Sequence, residues 1–305
     1  MASITLAESA KLSQNDLVAG VIENIITVNK MFEMLPFDGV EGNAIAYNRE
    51  NVLGDVDVEG VGDTIGAKSP ATFTNVTSAL TKILGDAEVD GLIQATRSDD
   101  TDQTATQIGS KAKSAGRKYQ DMLINGTGAA NQFNGLINLC VAGQQAATGA
   151  SGGALSFAFL DETADLVLDK DGAVDYYTMH SRTIRSFKAL LRALGGASIN
   201  EVITLPSGAK VMAYNDIPIF RNDWIPVNQV KGGGSAQTTV FAGTFDDGSR
   251  THGIAGLTAS KFAGIQVVDV GEHQDRDERI WRVKWYCGLA LFSEKGLACA
   301  DGITN

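Results

Sequence analysis

Cysteine, proline and histidine are scarce in this sequence: 305 residues carry three cysteines, five prolines and three histidines. Cys140, Cys287 and Cys299 form no CxxC pair and are odd in number. That excludes a disulfide scaffold and points to small buried hydrophobes in a reducing compartment. His180, His252 and His273 show neither HExxH spacing nor cysteine partners at zinc spacing, so no zinc site is encoded. No apolar run reaches the roughly 18 residues of a membrane-spanning helix. Residues 1–11 lack the basic region and apolar run of a secretory leader, which predicts assembly in the cytoplasm. Basic residues are in deficit too, 25 against 36 acids, for a net charge of −11. A dedicated nucleic-acid reader carries a basic stripe. The nearest group, Lys111, Lys113, Arg117 and Lys118, reads as a solvated helix face.

What remains is the composition of a folded, soluble protein, 44% hydrophobic and 20% charged, with a length that suggests two domains. Its 34 glycines favour turns and close backbone approaches. Chemical motifs fail one by one. Gly149-Ala150-Ser151-Gly152-Gly153 matches the GxSxG nucleophile pattern but has no strand leading into it. Asp55, Asp57 and Glu59 imitate the start of a calcium loop, yet Gly66 stands where its bidentate glutamate belongs. Gly126-x-Gly128-x-x-Asn131 lacks the third glycine of a dinucleotide fingerprint and follows a helix pattern. No catalytic, cofactor-binding or metal-ligating constellation survives.

Periodicity organises the chain. Ile108, Ala112, Ala115, Tyr119 and Met122 recur at steps of four and three. They predict a long helix from about residue 99, capped by Ser98 or Asp99, that runs as a strut along a sheet. Residues 15–35 predict an earlier helix, ended by Pro36. Residues 44–49 read as a strand. Asp55-Val56-Asp57-Val58-Glu59 alternates and reads as a continuing strand with one apolar and one anionic face, and residues 72–84 read as its partner. A lone two-stranded ribbon of this kind is marginal in water, so a neighbouring subunit is its expected support. Helices are predicted over 157–168 and from Ser181, with Ile184, Phe187, Leu191 and Leu194 on one stripe closed by Gly195-Gly196. Strands are predicted over 174–179, 201–205, 209–213, 216–220, 238–242, 264–270 and 280–292. His180, at a strand end, reads as a packed or capping residue. The charged run 272–279 reads as an exposed turn, and 230–235 as a Gly-rich loop.

This order of elements resembles that of tailed-bacteriophage major capsid proteins of the Hong Kong 97 type. The likeness rests on the long helix leading into Ile124-Asn125-Gly126-Thr127-Gly128 and Phe133-Asn134-Gly135-Leu136, and on residues 174–194. Residues 214–223 add to it, with Asn215-Asp216 replacing the family's usual glycine, as does a closing segment from Leu289 to Gly302 assigned to the P-domain. The resemblance implies an α+β fold with an N-terminal arm (1–40), an E-loop hairpin (41–90), a P-domain with the spine helix (91–145), an A-domain (146–235) and return strands (236–305). It implies a non-enzymatic subunit that builds hexamers and pentamers of an icosahedral shell around double-stranded phage DNA, in a virion assembled in the host cytoplasm. Partners implied are further copies of itself, a portal protein and, where present, separate scaffolding and decoration proteins. Inter-subunit contacts are expected at Arg49, Asp55, Asp57, Glu59, Lys68, Arg276, Asp277 and Arg279, and loops near 230–235 and 246–253 are candidates for capsomer axes. An encapsulin-like shell around protein cargo is the alternative within the fold. A hydrolase using Ser151 is the alternative outside it. Lys68 has no identifiable Asn and Glu partners for covalent cross-linking, so mature shells are expected to run as monomers, without a ladder of multimers, on denaturing gels.

Overall fold

The computed structural model describes residues 29–62, 64, 66–97, 102–129, 131–169, 172–193, 202–234 and 236–304. A 3-10 turn, Lys30–Glu33, precedes β1 (Phe37–Val40), β2 (Ala44–Val52), β3 (Thr72–Ala79) and β4 (Thr81–Asp90). Helices α1 (Gly91–Arg97), α2 (Gln103–Asn125) and α3 (Leu136–Leu139) follow. Next come β5 (Gly153–Ala154), α4 (Phe157–Leu168), β6 (Tyr176–Met179) and α5 (Ser181–Ala193). The rest is β7 (Val202–Thr204), β8 (Lys210–Tyr214), β9 (Ile217–Arg221), β10 (Gln237–Gly243), β11 (Ile254–Ala259), β12 (Gln266–Glu272), β13 (Glu278–Leu291) and β14 (Leu297–Thr304). The fold is α+β. Most of the N-terminal helix expected over 15–35 lies outside the described residues. Its described end is the 3-10 turn, with Met31 fully buried.

Three sheets form. In the five-stranded sheet β13 is central: β4 pairs along one side, β12 and then β11 along the other, and β1 adds to β11 in parallel. Arg282 and Asp86 face each other across the β13–β4 pair and bond through Nε and Nη2 at 2.7 and 2.8 Å. The guanidinium holds the Asp86 carboxyl below the usual carboxylate range. The seven-stranded sheet runs β5-β14-β10-β6-β9-β8-β7. The closing segment therefore divides: β13 stays in the five-stranded sheet, whereas β14 pairs with β10 in the seven-stranded one. The third sheet is β2–β3 alone.

The strand expected over 72–84 is two strands with different partners. The chain leaves β3 at Leu80, whose N–H bonds to Asn43 O at 2.9 Å, and continues as β4 against β13. The crossing brings Ala79 so close to β13 that a Cβ on Gly288 would lie 3.0 Å from Ala79 O. Asn215 and Asp216 adopt φ of 50° and 61° in the turn from β8 to β9. Both residue types tolerate this left-handed geometry, so a glycine is dispensable there.

Helix α2 starts later than the sequence suggests. Asp102 Oδ1 accepts from the N–H groups of Thr104 (2.9 Å) and Ala105 (3.2 Å), so Asp102 is the cap, and Ser98 and Asp99 lie outside the described residues. Ala115, Tyr119 and Met122 are buried as the periodicity requires, but so are Leu123 and Ile124. Its first half is the strut; its last turns belong to the core. The glycine motif that follows serves packing. A Cβ on Gly126 would lie 2.3 Å from Phe133 O, and one on Gly135 2.6 Å from Gly126 N, so the two backbones touch where side chains would stand.

One core cluster runs through both large sheets, with Met31, Tyr119, Leu123, Tyr176, Phe220, Phe241, Ile254 and Leu289 among its members. A second lies between the seven-stranded sheet and helices α4 and α5, around Leu160, Tyr177, Met179 and Phe187. Tyr119 anchors the first. Its ring meets Phe32, Phe37, Phe133 and Trp285 at centroid distances of 4.6–5.9 Å, and its hydroxyl donates to Gly288 O at 3.2 Å. Tyr119→Ala is expected to lower the unfolding free energy by about 3–5 kcal/mol. Ser114→Ala, on the exposed side of α2, is expected to stay within about 0.5 kcal/mol. Denaturant titration of both variants checks this.

Candidate assembly surface

The β2–β3 hairpin is held at its root and bare at its tip. At the root, Tyr47 donates from its hydroxyl to Leu291 O at 2.7 Å. Arg49 donates from Nε to Phe292 O (2.9 Å), from Nη2 to Leu291 O (2.5 Å) and from Nη1 to Glu294 Oε1 (2.8 Å). A charged donor on backbone carbonyls at a strand end is a strong tether. Arg49, expected at a subunit junction, is thus engaged within its own chain.

Beyond Val52 the alternating segment is not a strand. Residues 53–60 have no ladder pairing; Asp55 N bonds to Ser69 O (3.0 Å) and Ser69 N to Asp55 Oδ2 (3.3 Å). A period-2 pattern specifies a strand when one face is buried. Here Val56, Val58 and Val61 are 91, 102 and 112% exposed, so neither face is covered. The tip's charges meet one another: Lys68 Nζ donates to Asp57 Oδ2 (2.5 Å) and Glu59 Oε1 (3.2 Å). What the tip offers is valine more than charge.

Arg276, Asp277 and Arg279 lie at the other end of the five-stranded sheet, in the turn from β12 to β13 and at the start of β13. β4 runs from Thr81 opposite Cys287 to Asp90 opposite Glu278, which sets this end roughly 30 Å from the hairpin root. Asp277 O accepts from Gly91 N at 2.9 Å, at the start of α1. Arg279 chelates Asp269 across the β12–β13 pair, and Arg276 stands 3.9 Å from Glu278. The eight residues singled out in the sequence therefore occupy three places. The tip brings Asp55, Asp57, Glu59 and Lys68 together; Arg49 belongs to the root, and the arginine turn is remote from both.

Sequence reading missed a further apolar surface. On β12, an edge strand, Val267, Val268 and Val270 are all exposed, and Phe262 and Ile265 are exposed just before it. The signal was present: Val-Val-Asp-Val does not alternate, as happens when neither sheet face is covered within the chain.

The remaining motifs have structural places. Ser151 is exposed in a turn before β5; Gly149 and Gly152 take φ of 89° and 72°, and Ser151 O accepts from Gln237 Nε2 at 2.6 Å. His180 caps α5, with Nδ1 accepting from Arg182 N at 3.0 Å, so Ser181 is the first helical residue and not the cap. Burial lowers the His180 pKa. Leu194 and the Gly195-Gly196 stop lie outside the described residues. Of the loop expected over 230–235, residues 230–234 are described and are tied to β14 by Lys231 Nζ on Asp301 Oδ1 (2.5 Å). The 246–253 loop is folded on Asp246, whose Oδ1 accepts from Arg250 N (3.0 Å). Among the described residues no group of three metal-ligating side chains gathers, and no helix is long and apolar enough to cross a membrane.

No family model matches the chain, and no curated protein does. Solved structures do. An encapsulin complex from Synechococcus elongatus superposes with a TM-score of 0.73 at 16% identity, over 99% of this chain and 96% of that one. The capsid of a native GTA particle gives 0.69 at 13%, over 95% and 94%. The capsid of Myoviridae phage XM1 gives 0.61 at 11%, over 99% and 100%. The chain has the Hong Kong 97-like capsid fold.

Arg49→Ala removes three charge-assisted bonds at the hairpin root. Amide hydrogen exchange in β2 and β3 is expected to speed up at least about tenfold while that of β13 is unchanged, with a stability loss of about 1.5–3 kcal/mol.

Proposed function

We propose that this chain is the major capsid protein of a tailed bacteriophage, a subunit that assembles with copies of itself into hexamers and pentamers of a closed shell around double-stranded DNA. The observation that carries the reading is the hairpin. Two strands form a sheet of their own, and among the described residues nothing covers Val56, Val58 and Val61 at the tip. A ribbon of two strands has little stability of its own, and several fully exposed valines at one tip mark an interaction surface. A second copy supplies the missing face. The exposed valines of β12 are the complementary requirement, an edge that needs a cover.

In this reading Asp55, Asp57, Glu59 and Lys68 set the charge around the docked tip. Arg276, Asp277 and Arg279 serve a separate junction at the far end of the sheet, and Arg49 fixes the angle at which the hairpin leaves the subunit. Portal, scaffolding and decoration proteins would be its partners, and the host cytoplasm its place of assembly. The alternative is an encapsulin-like compartment with protein cargo; the likeness to an encapsulin over almost the full length of both chains favours keeping it.

Deletion of residues 53–70 is expected to leave a folded subunit, with circular dichroism and melting close to those of the full chain, that forms no closed particles in electron microscopy. Closed shells from the deletion variant would overturn the hairpin's role. Nuclease-protected DNA inside full-length particles distinguishes the phage shell from a compartment filled with protein.

A further inference from the structure

In a chain of net charge −11, helix α5 carries no acid at all. Its sequence, SRTIRSFKALLRA, places Arg182, Arg185, Lys188 and Arg192 at steps of three, three and four. On an α-helix these fall within an arc of about 120° and span about 15 Å. The opposite stripe, Thr183, Phe187 and Leu191, is buried against the seven-stranded sheet. Arg185, Lys188 and Arg192 are exposed, Arg182 half-buried, and none of the four forms an ion pair with a carboxylate among the described residues. The basic surface continues beyond the helix. Ile184 lines a groove of about 600 Å³ whose walls include Lys30, Arg117, Lys210 and Arg221, with Asp223 the one acid among them. Asp223 is itself paired with Arg221.

We propose that the exposed face of α5 is a contact surface for the phosphate backbone of double-stranded nucleic acid. Unpaired cations in a predominantly acidic protein concentrate attraction for polyanions in one place. A duplex presents a charge every ~1.7 Å of its axis, so a 15 Å row of cations faces several phosphates at once. The face is convex, and its exposed gaps are filled by Ala189 and Ala193, which give no apolar seat for a peptide. It has no element aimed at base edges, so the contact is independent of sequence. Four cations are few, which suits a surface that touches its cargo without gripping it.

The inference deepens the shell reading, because it turns this face of the subunit towards the enclosed DNA; the binding itself is measurable without a shell. The test is fluorescence anisotropy of a labelled 20-base-pair duplex with the full-length chain from 50 to 200 mM salt. A triple variant, Arg185→Gln, Lys188→Gln and Arg192→Gln, changes only exposed side chains. The expected result is salt-dependent binding by the parent chain. In the variant the slope of log affinity against log salt should be smaller by about 2–3, and affinity at 100 mM salt at least about tenfold lower. A control pair, Arg185→Lys with Arg192→Lys, keeps the charge and should keep the binding. No binding by the parent chain at 50 mM salt, or an unchanged triple variant, overturns the proposal. So does tighter binding of polyglutamate than of duplex when the triple variant abolishes it, because that assigns the face to an acidic polypeptide. Particle formation by the parent chain is scored separately in electron microscopy, so the shell reading and this one can fail independently.

Discussion

The structure depends on where Tyr119 is held. Four aromatic rings surround it, from the N-terminal turn, β1, the loop after α2 and β13, and its hydroxyl closes on Gly288 O. That contact fixes the last turns of α2 against the central strand of the five-stranded sheet. From there Leu123 and Ile124 enter the interior, and the close approach of Gly126 to Gly135 turns the chain towards the second sheet. Tyr176, Phe220 and Phe241 of the seven-stranded sheet join the same cluster as Leu289 of β13. Packing at this density transmits small errors, so the two sheets have one relative placement and not a range. Gly288 is also where the hairpin crosses β13. One short stretch of backbone therefore receives the helix on one account and admits the crossing on another.

Much of the fold was legible because burial leaves a period in the sequence. Helix α4 matches its pattern end to end, since Leu160, Ala164 and Val167 face a sheet. The turn at Pro206-Ser207-Gly208 carries its own chemistry, with Gly208 at φ 80°. Where burial comes from a remote partner, or is absent, the pattern misleads. Nothing at Leu80 marks the change from β3 to β4; the break is imposed by the close passage over Gly288, a tertiary event without a local signature. Val56 and Val58 alternate with acids as a strand should, yet neither face is covered, so no ladder forms beyond Val52. The helix start was misplaced because Ser98, Asp99 and Asp102 are all good caps by composition, and only the hydrogen bonds of Asp102 select among them.

The charged residues were legible as residues and not as partners. Lys68 sits eleven positions from Asp57 and nine from Glu59, and only the fold of the tip brings them together. Arg49 has the look of an exposed strand arginine but reaches the carbonyls of residues more than 240 positions away. Charge in this protein is therefore divided by place. At the tip and at the β12–β13 turn the cations meet carboxylates, whereas those on α5 meet none among the described residues.

The joint between hairpin and sheet has a mechanical consequence. From β3 to β4 the backbone runs on through one residue, Leu80, with no loop to give slack. All ten residues of β4 are in antiparallel register with β13. A tug on the outer end of the hairpin therefore loads that ladder lengthwise, with its cross-strand bonds sharing the force together, where a pull across the strands would peel them singly. The arm behaves as a handle forged onto a rigid plate. Strain arising where two neighbours meet would reach the Tyr119 seat as a displacement of the whole plate, undiminished by any hinge along the way.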